Sequence, residues 1–394
     1  IKYNKRKRIV GNEFGGERPL FASCDLCLED VTVHAGESAL KECRNIEAVG
    51  CRFEGKYPFW HNDGFVIRKC LFTEGARAAL WYSRDLRMSD TRVEAPKMFR
   101  EMDGVRLENV QIPNAQETLW HCRNVDLKNV RADRADYLFL HGENIRIEDY
   151  VQNGNYSFQY CRNVTIRDAE IHSKDAFWNS EDVTVYDSVL DGEYLGWHSK
   201  RLKLVNCRIS GTQPLCYAQD LVMENCTMDD DCDLAFEYST LRADIKGCVR
   251  SVKNPRSGSI TAGGYGEIIL DAQGAGRLRD TGRRREKLFF GLRAMEKYDF
   301  DTVVPRRGTN SYKWDTPEQE GVLPMWVADM DFRTPPFIME AIRRRCEHEI
   351  LGYTVKPHAF FEAIRDWVDR RLGWKVNASE IGFAPGIVPG ISSA

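Results

Sequence analysis

The stretches "RNVDLKNV" at 123–130, "ENIRIEDY" at 143–150 and "RNVTIRDA" at 162–169 repeat one unit, and that period limits the fold more than any other feature. The second apolar residue of the unit recurs at Leu28, Ala48, Ile67, Met88, Leu107, Leu127, Ile147, Ile166, Val185, Leu204, Met223 and Ile245. The copies lie 19 to 22 residues apart. Apolar and polar residues alternate within each copy, the pattern of a half-buried strand. A rung this short has no room for a helix pair, but it fits short strands and turns wound into a coil. The spacing predicts a mainly β chain: a parallel β-helix of about twelve rungs over residues 1–271, right-handed by the crossover rule.

Two columns support the coil. Two residues past each anchor comes Asp30, Gly50, Asp90, Asn109, Asn129, Asp149, Asp168, Asp187, Asn206, Asn225 or Gly247, broken only by Lys69. Asn, Asp and Gly tolerate the left-handed backbone of a sharp corner. The next column is small and mostly apolar, and takes in Cys51, Cys70, Cys207, Cys226 and Cys248 of the thirteen cysteines. Only Cys24 and Cys27 have Cys-x-x-Cys spacing, with no second pair, so zinc is not indicated and the thiols read as packing groups. That usage suits a reducing, cytoplasmic setting.

A second segment of each rung aligns as "PFWHN", "ALWYS", "TLWHC", "AFWNS" and "LGWHS", placing Trp60, Trp81, Trp120, Trp178 and Trp197 in one column. Arg100, Leu140, Gln159, Cys216 and Glu237 fill its other rungs. Read as a strand, the Phe/Leu column before Trp and the His/Tyr column after it share one face, and Trp takes the other. Two readings stand: an outward tryptophan ladder that serves as a platform for a sugar chain, or rings buried by corners or a loop. The run "DDDCD" at 229–233 suits a solvated turn or calcium. It has no second carboxylate cluster, and no metal site is expected.

"NEFGGERPLFA", "RAALWYS", "NAQETLWHC", "KDAFWNSEDVTVYDS" and "LAFEYSTLRADI" resemble a bacterial β-helix family classed as a domain of unknown function, over residues 10–271. The resemblance implies the fold and carries no activity with it.

After "GEIILD" the period stops, and 272–297 reads as a Gly/Arg-rich linker with Arg283, Arg284 and Arg285 consecutive. One basic cluster in a chain of net charge −3 gives little reason to expect nucleic acid. Residues 298–394 read as mixed α/β. "PFIMEAIRRRCEHEI" is an amphipathic helix led by Pro335 and Pro336. "AFFEAIRDWVDRRLGW" is a second, closed by Gly373. "SEIGFAPGIVPGISSA" reads as a strand, a turn and the opening of a helix, a place where backbone N–H groups suit phosphate.

"YDFDTVVPRRGTNSYKWD", "LPMWVADMDFRTPP", "LGYT" and the final segment resemble the opening of the MalY/PatB family of pyridoxal-phosphate enzymes, fold-type I cysteine-S-conjugate β-lyases related to aminotransferases. The resemblance implies a truncated α/β fold-type I segment. It implies cofactor phosphate on the turn Gly386, Ile387 and Val388, with Tyr353 reaching the phosphate in the neighbouring subunit of a homodimer. Asp329 and Asp331 would lie near the entrance for a small amino-acid substrate; Asp331 equally suits a cap for the following helix. The family's Schiff-base lysine has no counterpart here: Lys313, Lys356 and Lys375 stand in other contexts. No catalytic residue is therefore expected in the chain, and the fragment is not expected to hold pyridoxal phosphate stably.

The chain starts at Ile1, and both ends read as cut. No stretch approaches a membrane span. The expected function is a fragment of a fusion: a β-helix binding or scaffold module joined to part of a cystathionine or cysteine-S-conjugate β-lyase, inactive as it stands. The alternative is a non-enzymatic β-helix that binds a ligand, with carbohydrate as the candidate.

Overall fold

The computed structural model describes residues 7–270, 276–279, 286–290, 302–316, 321, 323–326, 328–350, 352–384, 386, 387 and 391. Two compact units divide near residue 294.

The first unit is a parallel β-solenoid of about 14 turns. Its anchor column runs unbroken through hydrogen-bonded neighbours, from Ile9 against Leu28 to Met223 against Ala243 and Ala243 against Ile260. The period thus extends one rung beyond the legible copies at each end. Ile9 was hidden because its rung has Lys7 where the other copies have their first apolar residue; Gly11, at φ 65°, turns the chain there as glycine does at Gly50. The last expected anchor is displaced. Ile245 pairs with Cys226, and Ala243 holds its place in the column after a register shift between Met223 and Cys226.

The corner column is as expected, and complete. All twelve positions have left-handed backbone, φ 50–58° at the ten that are not glycine and wider angles at Gly50 and Gly247, and Lys69 is among the ten at 53°. Lysine takes this conformation at a cost that Asn and Asp largely avoid. The amides of the column also bond along the stack. Asn109 Nδ2 donates to Asp90 at 3.0 Å and Asn129 to Asn109 at 2.8 Å; Asn206 donates to Asp187 and Asn225 to Asn206 at 2.8 and 2.6 Å. In the middle rungs the strand runs through this corner, giving the long strands Asp103–Ile112, Arg123–Asp133, Glu143–Asn153 and Arg162–His172.

The core is a single apolar column bundle in which anchor, Phe/Leu and cysteine columns meet. Rings of the Phe column stack rung on rung: Phe139 on Phe158 at 4.7 Å and Phe158 on Phe177 at 5.1 Å. Cys51, Cys70, Cys207 and Cys226 are buried as expected, but Cys248 is exposed. It follows the register shift, at the start of the strand Cys248–Lys253, which pairs in a separate two-stranded sheet. All thirteen thiols are free, and burial pushes Cys122 and Cys161 up to about 12. No group of His, Cys, Asp or Glu suited to a metal occurs among the described residues, including the "DDDCD" run.

The stretch expected as a linker holds two strands. Glu286–Phe290 lies antiparallel against Ser257–Ala262, with Leu288 buried opposite Ile260, and Gly276–Arg279 pairs with its other edge. Reversed direction ends the parallel stack and covers its last edge. Arg283, Arg284 and Arg285 lie outside the described residues.

The second unit contains both expected helices, Pro336–Cys346 and His358–Leu372, the latter ending at Gly373 with φ 63°. Their apolar stripes are not buried: Ile338, Ile342 and Trp367 are exposed. The short strand expected at the start of "SEIGFAPGIVPGISSA" is not formed among the described residues: a capping box winds Ala378–Glu380 into one 3₁₀ turn, and 381–384 is irregular. No helix among the described residues is long and apolar enough to cross a membrane.

Replacing Phe158, which is buried between two stacked rings, with Ala is expected to destabilise the solenoid by about 3–5 kcal/mol. Asn129→Gly keeps the permissive backbone and loses one side-chain bond, for a cost of about 1 kcal/mol. Urea unfolding of both variants measures the difference; equal costs would mean that the ring column does not hold the rungs.

Candidate ligand-binding face

The segment bearing the tryptophans is not a strand, and this changes what the tryptophans can do. Left-handed residues alternate along it: Tyr137 at φ 59°, Phe139 at 60° and His141 at 55°, and likewise Tyr156, Phe158 and Tyr160 at 63°, 56° and 57°. The alternation bends the chain at every second residue, so the two-face rule of a pleated strand fails. Phe points inward and His or Tyr outward, although they are two residues apart, while Trp lies half-buried between them.

The tryptophans are therefore tied into the wall. Trp60 Nε1 donates to Ala78 O at 2.6 Å, Trp81 to Lys97 O at 2.7 Å, Trp120 to Tyr137 O at 2.5 Å and Trp197 to Gln213 O at 2.7 Å. Each bond reaches the main chain of the following rung. Trp60 and Trp81 stack at 5.4 Å with planes 11° apart, and Trp178 and Trp197 lie at the same separation. Between Trp81 and Trp120 the column position is Arg100, whose guanidinium sits 4.7 and 4.0 Å from the two ring centroids. Its Nη2 bonds Glu117 at 2.8 Å, so a cation replaces a ring without opening the stack.

Outside this column lies an exposed one. His61 stacks on Tyr82, His121 on His141, His141 on Tyr160 and His198 on Tyr217, at 4.8–5.1 Å and within 17° of parallel. Rings piled like coins along the axis give their faces to one another and present edges to solvent. A sugar platform needs exposed faces, which this arrangement withholds except where the pile is interrupted. Interruptions fall at Glu101 and Asn179.

A third column, three residues before Trp, holds Tyr57, Tyr137, Tyr156 and Tyr194, with Ala78, Lys97, Glu117, Asp175, Gln213 and Leu234 in the other rungs. Sequence reading passed over Asp175; the signal was a carboxylate at a position held by Tyr on both neighbouring rungs. It is 8% exposed, and its Oδ1 is buried without a hydrogen-bond partner. Burial raises its pKa to about 6, against the pull of Lys174; the Glu193 carboxylate adds to the rise.

In the second unit Asp331 is a hub. It accepts from Arg306 Nη1 at 2.6 Å, Lys313 Nζ at 2.8 Å and Trp314 Nε1 at 2.7 Å, and these partners hold its carboxyl well below the usual range. Asp329 takes the other Arg306 nitrogen at 2.6 Å. Asp331 does not cap the helix after it: Pro336–Cys346 has Pro335 at its N-cap and no side-chain cap bond. Tyr353, Gly386 and Ile387 are exposed, and Val388 lies outside the described residues. A cofactor phosphate is gripped by converging, desolvated donors. The three described residues offer no such enclosure, so they do not by themselves fit pyridoxal phosphate.

A carboxyl whose pKa is about 3.8 unfolded and about 6 folded favours the fold when protonated. Its ionisation therefore lowers stability as pH rises through that window and leaves a constant penalty above it. Asp175→Asn is expected to stabilise the solenoid at pH 8 by about 1–3 kcal/mol, with the gain vanishing below about pH 4. Denaturation at both pH values is the check, and a gain independent of pH would show that Asp175 is not a buried acid.

Among curated proteins, the cystathionine β-lyase PatB of Bacillus subtilis (strain 168) is 49% identical over 100 residues, 24% of this chain and 26% of that protein. Protein MalY of Escherichia coli (strain K12) is 32% identical over 96 residues, 23% of this chain and 25% of its own. The cystathionine β-lyase of Corynebacterium glutamicum is 33% identical over 95 residues, covering 24% and 26%. The chain spans about a quarter of the length of the curated relatives it matches. Among solved structures, a trypsin-treated form of QnrB1, a plasmid-mediated fluoroquinolone resistance protein, aligns with 57% of this chain and 92% of its own at 15% identity and a TM-score of 0.16. A family model described as protein of unknown function (DUF3737) matches residues 7–279, the stretch that forms the solenoid and the first strand of its closing hairpin, and the chain belongs to that family.

Proposed function

We propose that the chain joins a β-solenoid scaffold or binding module to the N-terminal part of a pyridoxal-phosphate-dependent cysteine-S-conjugate β-lyase. The parent enzyme would cleave cystathionine or a related conjugate to pyruvate, ammonia and a thiol, and would work as a dimer. The observation that carries this is the 49% identity to the Bacillus subtilis enzyme over 100 residues. The motifs "MWVADMDF" and "LGYT" are more specific than any amphipathic helix.

On this reading the chain by itself does not turn over. The chemistry requires a lysine amine to bind the cofactor and move the α-proton. Lys313 is occupied by Asp331 and the Asp329 carbonyl, and Lys356 lies over the Phe383 ring at 4.6 Å. The exposed Ile338, Ile342, Trp367 and Phe383 are what a segment retains when the remainder of its enzyme supplies the other half of its core.

A chimera tests the lyase half: residues 298–394 replace the matching segment of the Bacillus subtilis enzyme. The folded chimera is expected to bind pyridoxal phosphate in a form fixed by borohydride and to release pyruvate from cystathionine, whereas the present chain does neither. A folded, dimeric chimera without bound cofactor or activity would sink the lyase reading. Pyruvate release by the present chain would sink its inactivity.

A further inference from the structure

We propose that Arg146, Thr165 and the amides of Asn124, Asn144 and Asn163 form a binding site for an oxyanion, the carboxylate or phosphate group of a small hydroxylated molecule. The cation is the first observation. On the outward faces of these rungs cations are paired from rung to rung: Arg106 with Asp126 at 3.3 Å, Arg123 with Asp103 at 3.5 Å, and Lys128 with Glu148 and Arg162 with Glu181 at 3.7 Å. Arg167 lies over the Tyr186 ring at 3.7 Å. Arg146 has no side-chain partner of any kind among the described residues. Its register neighbours are Asp126 below, which Arg106 already engages, and Thr165 above, whose hydroxyl is also without a partner among the described residues.

Two residues before Arg146 runs a ladder of amides. Asn163 Nδ2 donates to Asn144 Oδ1 at 2.7 Å, Asn144 to Asn124 at 3.2 Å and Asn124 to Asp103 at 2.6 Å. An amide carries two N–H bonds, and each of these spends one on the ladder, leaving the other for a ligand. The ladder ends at Asn163, because Arg201 takes Asp182 of the next rung at 2.6 Å. All three amides, with Arg146 and Thr165, wall one surface cavity of about 330 Å³, the size for a single small ligand. Adjacent rungs lie about 4.8 Å apart. An oxyanion between them can take the guanidinium fork from one side and amide and hydroxyl donors from the others. Asn163 Oδ1, at the open end of the ladder, and Asp126, one rung below, are acceptors for the ligand's hydroxyls. Arg87, three rungs below in the same column, is also without a side-chain partner among the described residues, but it is flanked by Asp85 and Gly104 in place of the amides. A carboxylate there opposes an anion. The site lies in the solenoid and does not depend on the lyase reading.

The experiment titrates the full chain with glucuronate, glucose 6-phosphate and glucose, following the side-chain amide resonances of Asn144 and Asn163, assigned through Asn144→Asp and Asn163→Asp. At least one of the two anions is expected to shift both resonances saturably, and the tighter of the two identifies carboxylate or phosphate as the group recognised. Glucose, with the hydroxyls and no charge, is expected to leave them in place. Arg146→Gln is expected to weaken binding about tenfold or more. Arg146 is exposed and holds no partner, so this variant is expected to fold as the parent does, which circular dichroism checks. Asn163→Asp sets a carboxylate in the ladder and is expected to weaken binding as well; Asp85 and Asp182 already hold this column with φ 57° and 56°, so it brings no new backbone strain. Arg87→Gln is expected to leave binding unchanged. No saturable shift with either anion, equal binding by Arg146→Gln, an equal response to glucose, or an equal loss in Arg87→Gln would overturn the proposal.

Discussion

The solenoid depends on left-handed backbone at up to six positions in a rung. In the rung of Tyr137, Phe139 and His141 the list is completed by Arg134, Asn144 and Asp149. A left-handed L-residue costs roughly 1–2 kcal/mol against a right-handed one. Asn and Asp discount that cost at the corners with local hydrogen bonds. Phe, Tyr, His and Leu have no such discount, yet they fill the alternating segment. The offset comes from the neighbours: strained residues donate their N–H groups to the next or previous rung, as Tyr137 does to Asn155 O at 2.8 Å and Phe139 to Thr118 O at 3.1 Å, and rings such as Phe139, Tyr137 and His141 lie on a ring of the next rung. The aromatic columns are thus first a structural device. A rung outside the stack would have the strain without the compensation, which is why such folds need neighbours on both sides and a cap at the end.

This explains which parts of the molecule were legible in the sequence. The anchor and corner columns could be read because each demands a residue class, apolar or left-handed-tolerant, at one offset from a strand. Lys69 broke the residue pattern without breaking the geometry, since rung-to-rung bonding imposes the angle. The alternating segment could not be read correctly, because nothing in "TLWHC" announces left-handed Leu119 and His121. Treated as a strand it put Trp on an outer face; the turn geometry gives that place to His and Tyr. Ile245 was misplaced for a related reason: Ala243 is a weaker apolar signal, and period counting has no means of seeing a register shift. In the second unit the helices were legible from periodicity and Gly373, while the role of Asp331 depended on Arg306, Lys313 and Trp314 arriving from elsewhere in the chain.

The two units contrast in how they satisfy their apolar groups. In the solenoid the large aliphatic and phenylalanine side chains of the anchor and ring columns are buried, so its exterior is left to charged ladders such as Arg106 with Asp126 and Lys203 with Glu224. Such exposed pairs contribute little each; they keep neighbouring rungs from repelling. In the second unit Met325, Met330, Trp374 and Phe383 are exposed, and its best-connected group is an ion cluster rather than a core. An ion cluster of this kind ties the segment that contains Asp329 and Asp331 to Arg306, Lys313 and Trp314. The exterior of the solenoid is therefore where departures from the column pattern show.

On that surface, local consistency is the useful guide. A sequence that specifies one structure satisfies its propensities, packing and polar groups together, and places where it fails to do so are candidates for function. The rung at 174–180 departs from both neighbouring rungs at two columns, with Asp175 for Tyr and Asn179 for a ring, and of these only Asp175 leaves a buried polar atom unmet. Asn62, Arg100 and Gln152 do the same in other rungs, so among the described residues the unmet atoms are scattered along the wall rather than gathered in one place.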